Sequence, residues 1–344
     1  MPATLRPEGK GGVDAATGTF AALIRAAMRR GVLAILFIIL PIFGLILAGW
    51  ALRRAGVFGA GTTAELNRFV IWLALPALMF DIVAGAHWAD IWRPGYIGAF
   101  GGGVAVIFAG TVLAGRVLRR PLPDAVVDGL NAGYSNTAYV GFPLAAAVLG
   151  PQSRTGVLIA CILTMTILFA VSLALVELGL HGRGAGGGAG AIARRVGSRL
   201  MRSPLVVAPA AGALVLASGL GLPAPLHAFT SLLGNAASPC ALVALGLFLG
   251  EDRSSGARHL PAVVVLTASK LIGQPLITWL LAVHVFALDA AATTLAVLIA
   301  ALPTGTGAWM VSAIHARDAA VTARVLLAST VGSVVTLTVL LSWL

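Results

Sequence analysis

The sequence predicts an all-α polytopic membrane protein, and three observations carry that prediction. Of its 344 residues 59% are hydrophobic and only 10% charged, with a mean hydropathy of +0.98, outside the range of ordinary soluble domains. Apolar runs able to cross a hydrocarbon core of about 30 Å recur ten times. Two of these runs, at Asn131-Ala-Gly-Tyr-Ser-Asn136-Thr-Ala-Tyr-Val-Gly141-Phe-Pro143 and Ala301-Leu-Pro303-Thr-Gly305-Thr-Gly307, contain Gly, Pro and small hydroxyl or amide residues. Lipid cannot satisfy free backbone groups, so an unbroken helix is the default there and an interruption needs a reason.

After a polar tail at 1–31, the spans are placed in order at 32–52, 67–86, 96–115, 128–149 and 155–179. A Gly- and Arg-rich stretch follows at 180–203, in which Gly184 to Gly190 is almost all Gly and Ala; it reads as a flexible tether on the cytoplasmic side. The remaining spans are 204–219, 229–250, 260–283, 290–312 and 319–343. Each half therefore holds five spans, 32–179 and 204–344. Span 2 carries Pro76 and span 7 Pro239, while spans 4 and 9 carry Pro143 and Pro303. Because five is odd, the second half enters the membrane in the opposite sense, which makes the halves inverted repeats. Broken helices in matching positions of such repeats point to the substrate site of a secondary transporter.

Arginines set the orientation. Loops after the odd spans hold Arg53, Arg54, Arg116, Arg119, Arg120, Arg183, Arg194, Arg195, Arg199, Arg202, Arg253, Arg258 and Arg317, against Arg93 and Arg154 after even spans. Both termini are thus expected on the non-cytoplasmic side of the cell's inner (plasma) membrane. Arg25, Arg29 and Arg30 argue the other way, and the tail lacks a signal-peptide h-region with a cleavage site. Translation beginning at Met28 would reconcile the two. N-terminal sequencing of the native protein that finds Pro2 or Ala3 at the terminus would refute it.

The formal charge of +11 does not indicate nucleic acid, because the arginines punctuate apolar runs and form no basic face interleaved with aromatics. Cys161 and Cys240 fall inside apolar segments without metal-type spacing, so neither a disulfide framework, a metal site nor a cofactor is expected. There is no His-Glu-x-x-His motif or pair of intramembrane aspartates, and Ser and His residues form no nucleophile and base arrangement. A membrane-embedded enzyme is therefore not expected.

Several side chains merit individual reading. Lys270 lies about ten residues into span 8, where a lysine costs about 2.5 to 3.5 kcal/mol on insertion, so it should face protein or a cavity. The alternative is a lysine snorkelling to the interface. Gln274, one turn on, could share that cavity. Asp81 is either a gate or protonation site, or an interfacial residue beside His87 and Asp90. Glu177 and Asp128, at span ends near arginines, read as solvated partners. Tyr134, Tyr139, Phe142 and Trp309 accompany the interruptions and read as packing residues.

Five stretches in order resemble the auxin efflux carrier family, which includes plant PIN-type auxin exporters and bacterial transporters of malate or malonate. They are Leu40-Pro41 through Gly49 with Arg53-Arg54-Ala-Gly56; Leu66-Asn67-Arg68 through Leu75-Pro76-Ala-Leu78; Asn136 through Pro143; Leu233-Gly234-Asn235-Ala236-Ala237-Ser238-Pro239; and Leu302-Pro303-Thr304-Gly305-Thr306. The resemblance implies a fold similar to bile acid and sodium symporters, with ten helices in two inverted five-helix repeats. It further implies a scaffold of spans 1, 2, 6 and 7, a moving transport domain of spans 3–5 and 8–10, and a crossover of spans 4 and 9. Small organic anions are the implied substrates, Asn136 an implied contact, and a homodimer through the scaffold the implied assembly. At Gly307 the chain departs from the Asn that the resemblance would lead one to expect in many bacterial relatives.

Physical chemistry gives the anion preference a cause. Half-helix N-termini offer free N–H groups and partial positive charge to a carboxylate. Candidate substrate-binding residues are accordingly Asn136, Thr137, Gly141, Pro143, Pro303, Thr304, Gly305 and Thr306, with Lys270 and Gln274, and Asp81 as a gate. The acidic residues lie mostly at span ends, which favours uniport or proton coupling over sodium. A non-transporting receptor is the remaining alternative, and it would need an output surface.

Overall fold

In the computed structural model, the described residues are 40–59, 61–181, 194, 197–198, 201–251, 260–315 and 319–343. The polar tail, Met28 and most of the tether, with Arg183, Arg195, Arg199, Arg253, Arg258 and Arg317, lie outside them. Among the described residues there are helices and no strands. Apart from the single turn Trp88–Ile91, those of the first half are α1 (40–54), α2 (Thr62–Ala84), α3 (Pro94–Val117), α4 (Leu122–Gly133), α5 (Thr137–Leu149) and α6 (Pro151–Leu180). The second half gives α7 (Pro204–Ser218), α8 (Ala224–Gly250), α9 (Leu260–Val285), α10 (Ala290–Ala300), α11 (Thr306–Ile314) and α12 (Ala319–Trp343).

Six of these, α2, α3, α6, α8, α9 and α12, are long and apolar enough to cross a membrane, while α5, α7 and α10 are apolar but shorter. The molecule is a polytopic α-helical membrane protein. Leu113, Val117, Leu214, Leu232, Val265 and Val335 are exposed, as lipid-facing side chains must be when the solvent is itself apolar.

Prolines shape the helices by a common device. Proline has no N–H and its ring clashes with the carbonyl four residues back. In α2, α5 and α9 the backbone widens into a π-type turn, at Val70–Ala74, Thr137–Gly141 and Ser269–Gly273, two residues before Pro76, Pro143 and Pro275. The widening accommodates the misfit without ending the helix. Pro239 behaves differently from Pro76, because α8 is interrupted by a turn at Ala236, ahead of the proline.

Helix α2 packs most extensively on α7 and α8, whereas α3 packs on α4, α9 and α10, and α12 on α9 and α11. α1 lies against α8 at close range. A Cβ on Gly49 would stand 2.3 Å from the Val243 carbonyl oxygen, and one on Gly246 2.0 Å from that of Ile46, so only glycine permits this approach. The two helix groups meet where α2 touches the π-type turn Ile162–Leu168 of α6, and where α8 touches α11. Phe100, Phe169, Leu298 and Trp309 fill the interior, with Trp309 edge-on to Phe248.

Candidate functional site

Both interruptions are real breaks, and they meet each other. Helix α4 stops at Gly133 and α5 begins at Thr137; α10 stops at Ala300 and α11 begins at Thr306. Between them Ser135 and Thr304 form an antiparallel bridge, in which the Asn136 N–H donates to the Pro303 carbonyl and the Gly305 N–H to the Tyr134 carbonyl, each at 2.9 Å. Two segments that lipid could not solvate thereby satisfy one another.

Side chains complete the junction. The Thr304 hydroxyl donates to the Asn131 carbonyl at 2.8 Å, and the Thr304 N–H donates to the Ser329 hydroxyl of α12 at 3.1 Å. The Asn131 amide donates to the Thr322 hydroxyl at 3.0 Å. Hydroxyls of Thr137 and Thr164 share a bond at 3.1 Å.

A cavity opens at the bridge. Its polar wall is Ser135, Asn136, Thr137, Gly305, Thr306 and Gly307, with Tyr134 and Tyr139, and its apolar wall includes Val70 and Leu75 of α2, Met165 of α6, Ala237 and Ala241 of α8, and Met310 of α11. The site thus lies between the two helix groups. The first turns of α5 and α11 both line it, and first-turn N–H groups have no partner within their own helix. Two positive helix ends and a small amide converge on one cavity, an arrangement suited to a carboxylate. Tyr134 closes one side: a Cβ on Gly305 or Gly307 would lie 2.8 or 2.5 Å from its ring. The absence of a side chain at Gly307 is what makes room for this tyrosine.

Of the expected residues, Asn136, Thr137, Gly305 and Thr306 line the cavity. Pro303 and Thr304 hold the bridge behind it. Gly141 instead packs against Leu302, Val157 and Ile299, and Pro143 sits inside α5, beyond the break. Lys270 and Gln274 are wholly buried but do not line this cavity. Lys270 Nζ donates to the Ala300 carbonyl at 2.7 Å, and the Gln274 amide atoms find no hydrogen-bond partner among the described residues. Asp81 is remote from the bridge, hydrogen-bonded to His227 Nδ1 at 2.8 Å and to the Thr230 hydroxyl at 2.6 Å, both on α8.

One expectation is corrected. Asp128, read as solvated, is 7% exposed and pairs with Arg120, because α4 begins at Leu122, one and a half turns earlier than its apolar run suggests. Residues missed at the sequence level include Ser135, Ala237, Ala241, Met165 and Met310. Ser135 sits inside the first quoted motif and Ala237 inside the fourth, so motif membership was the available signal; Met165 and Met310 carried none.

A larger, predominantly apolar cleft between α9, α10 and α12 is lined by Leu271, Ile272, Leu276, Trp279, Val335 and Val339 among others. Ile272, Leu276, Trp279, Val335 and Val339 of its lining are exposed, and among the described residues its polar lining is limited to Thr293, Thr294 and Thr336.

Comparison with known proteins gives a consistent result. The family described as "Membrane transport protein" matches residues 34–183 and 189–341. A Rhizobium meliloti (strain 1021) protein named "Putative malonate transporter" is 29% identical over 280 residues, covering 80% of this chain and 84% of its own length. "Uncharacterized transporter YfdV" of Escherichia coli (strain K12) is 25% identical over 243 residues, covering 69% of this chain and 75% of its own. An "Uncharacterized transporter" of Methanothermobacter thermautotrophicus is 27% identical over 223 residues, covering 61% and 67%.

Proposed function

This chain belongs to the membrane transport protein family, and from that premise we propose that it is a secondary transporter of small organic anions, working by alternating access at the paired helix breaks. The observation that carries the reading is the bridge between residues 134–136 and 303–305, which brings the first turns of α5 and α11 to one cavity. A dicarboxylate such as malonate suits that positive, narrow site, in keeping with the name of the Rhizobium meliloti relative; malate and auxin-like acids are the other members of the class.

In this reading the chain crosses the membrane ten times. The pairs α4 and α5, and α10 and α11, each count as one broken span, and α1 and α7 as short ones. Residues 32–179 and 204–344 are inverted repeats joined by 180–203. Helices α1, α2, α7 and α8 form the scaffold, and α3 to α6 with α9 to α12 the moving domain; the packing of α2 on α7 and α8 supports this division. The cavity wall contains residues of both groups, so sliding one against the other would open it to alternate sides. Asn136 is the direct polar contact, Thr137 and Thr306 flank it, and Gly305 lets the ligand approach the backbone. Asp81, bonded across to α8, would tie the scaffold helices together. A homodimer would form through the exposed apolar faces of the scaffold.

The test is uptake of labelled malonate, malate and indole-3-acetate into proteoliposomes. Saturable flux of one acid is expected, and Asn136→Ala should lower it at least tenfold, since a hydrogen bond to a charged group is worth about 1.5 to 3 kcal/mol. Absence of flux for all three acids with folded protein would exclude these substrates, call for a wider screen of the anion class and favour the receptor alternative.

A further inference from the structure

The cavity at the bridge is positive without holding a cation. None of the described residues in its wall carries a formal charge. Its positive potential comes from the first turns of α5 and α11, each worth about half an elementary charge, so that the two together offer about one. Lys270 is not in the wall; its Nζ is engaged by the Ala300 carbonyl, at the negative end of α10. The titratable side chains of the wall are Tyr134 and Tyr139, and phenols ordinarily stay neutral below about pH 10. Helices α2, α6, α8 and α11 contribute Val70, Leu75, Met165, Ala237, Ala241 and Met310, none of which titrates.

A dicarboxylate brings two negative charges to a site that balances one. The second would be buried without a counter-charge beside apolar side chains, and an uncompensated buried charge is costly enough that such a group takes up a proton instead. In water that proton costs only about a tenfold loss of population for each pH unit above the acid's second ionisation. A neutral carboxyl also finds a partner here. The Ser135 hydroxyl is wholly buried, belongs to the wall and has no hydrogen-bond partner among the described residues, and a hydroxyl both donates and accepts.

We propose that the cavity takes a dicarboxylic acid in its singly charged hydrogen form, with the carboxylate at the two helix ends and the neutral carboxyl at Ser135, so that the acid itself carries a proton across. The proton is taken from water on the entry side, stays in the carboxyl O–H during the crossing and returns to water on the far side; no protein group gains or loses it. This deepens the transporter reading and rests on it.

The test uses the full chain in proteoliposomes at equal pH on both faces, between about pH 5 and pH 8, with labelled malonate as substrate and malonamate as inhibitor. Malonamate has an amide in place of one carboxyl, so it is a fixed single anion of nearly the shape of hydrogen malonate. The KM for total malonate should rise about tenfold per pH unit above its second ionisation, while the inhibition constant of malonamate stays within about twofold. A malonate KM that is flat or falls as pH rises would mean that the dianion is bound, and would overturn the proposal with the transporter reading intact. So would a malonamate constant that rises in step with the malonate KM, which would place the titrating group on the protein, and so would malonamate that does not inhibit. A potassium diffusion potential gives a second readout: accumulation of malonate should follow one charge, about tenfold per 59 mV of inside-positive potential, and about a hundredfold would overturn the proposal. If malonate does not move while indole-3-acetate does, the proposal falls and the anion reading stands; if no acid moves, both lose their support.

Discussion

At the residue scale, the site depends on positions where size, not only polarity, is decisive. Tyr134 lies against Gly305 and Gly307 so closely that a methyl group at either must displace its ring. Overpacking of this kind costs about 1 to 3 kcal/mol. Gly307→Ala should therefore lower the unfolding midpoint of the purified protein, and Tyr134→Ala in the same chain should restore much of the loss. A midpoint unchanged in the single variant would mean that the ring is free to move. Sequence reading alone reached Gly307 only as a departure from a family pattern. What the glycine accommodates became visible once Tyr134, far away in the chain, was seen beside it.

At the scale of elements, the breaks are held by a few hydrogen bonds that have no substitute in lipid. Thr304→Val keeps the shape of the side chain but removes the hydroxyl that donates to the Asn131 carbonyl, and Ser329→Ala removes the acceptor of the Thr304 N–H. Each should destabilise by about 1 to 3 kcal/mol, the cost of a buried polar group left without its partner. A chemical denaturation series on the two variants and their combination measures it, and additive losses would show that the bonds act independently. Prolines were legible as sites of irregularity, yet their consequences were not uniform. Pro303 lies within a break, whereas Pro76 and Pro143 follow π-type turns inside helices that continue. Whether a proline ends a helix or only widens it depends on whether neighbours can take up the freed carbonyls, and the local sequence does not record its neighbours.

For the whole molecule, the cavity lies between the group α2, α7 and α8 and the group carrying the breaks. A cysteine placed at Ala237, on the α8 wall of the cavity, in a chain with Cys161 and Cys240 replaced, should react with a membrane-impermeant thiol reagent. Saturating substrate should slow that reaction several-fold. Labelling indifferent to the transported acid would put the substrate elsewhere. Orientation is a second prediction at this scale: an alkaline phosphatase domain fused after Leu344 should be active in intact cells, as the arginine distribution requires. An inactive fusion that becomes fluorescent when exchanged for a cytoplasmic reporter would reverse the topology.

The sequence by itself determined the membrane character and the location of both interruptions. Hydropathy over about twenty residues and the rarity of Gly-Pro-Thr clusters in lipid are local properties. It also identified Lys270 as a residue that could not stay in lipid. Only the tertiary structure decided that residues 134–136 pair with 303–305, that Lys270 meets the end of α10 and not the cavity, and that Met165, Ala241 and Met310 supply its apolar wall. Those outcomes depend on which backbone groups find partners across 169 positions of chain, a matter of helix packing that no local pattern encodes.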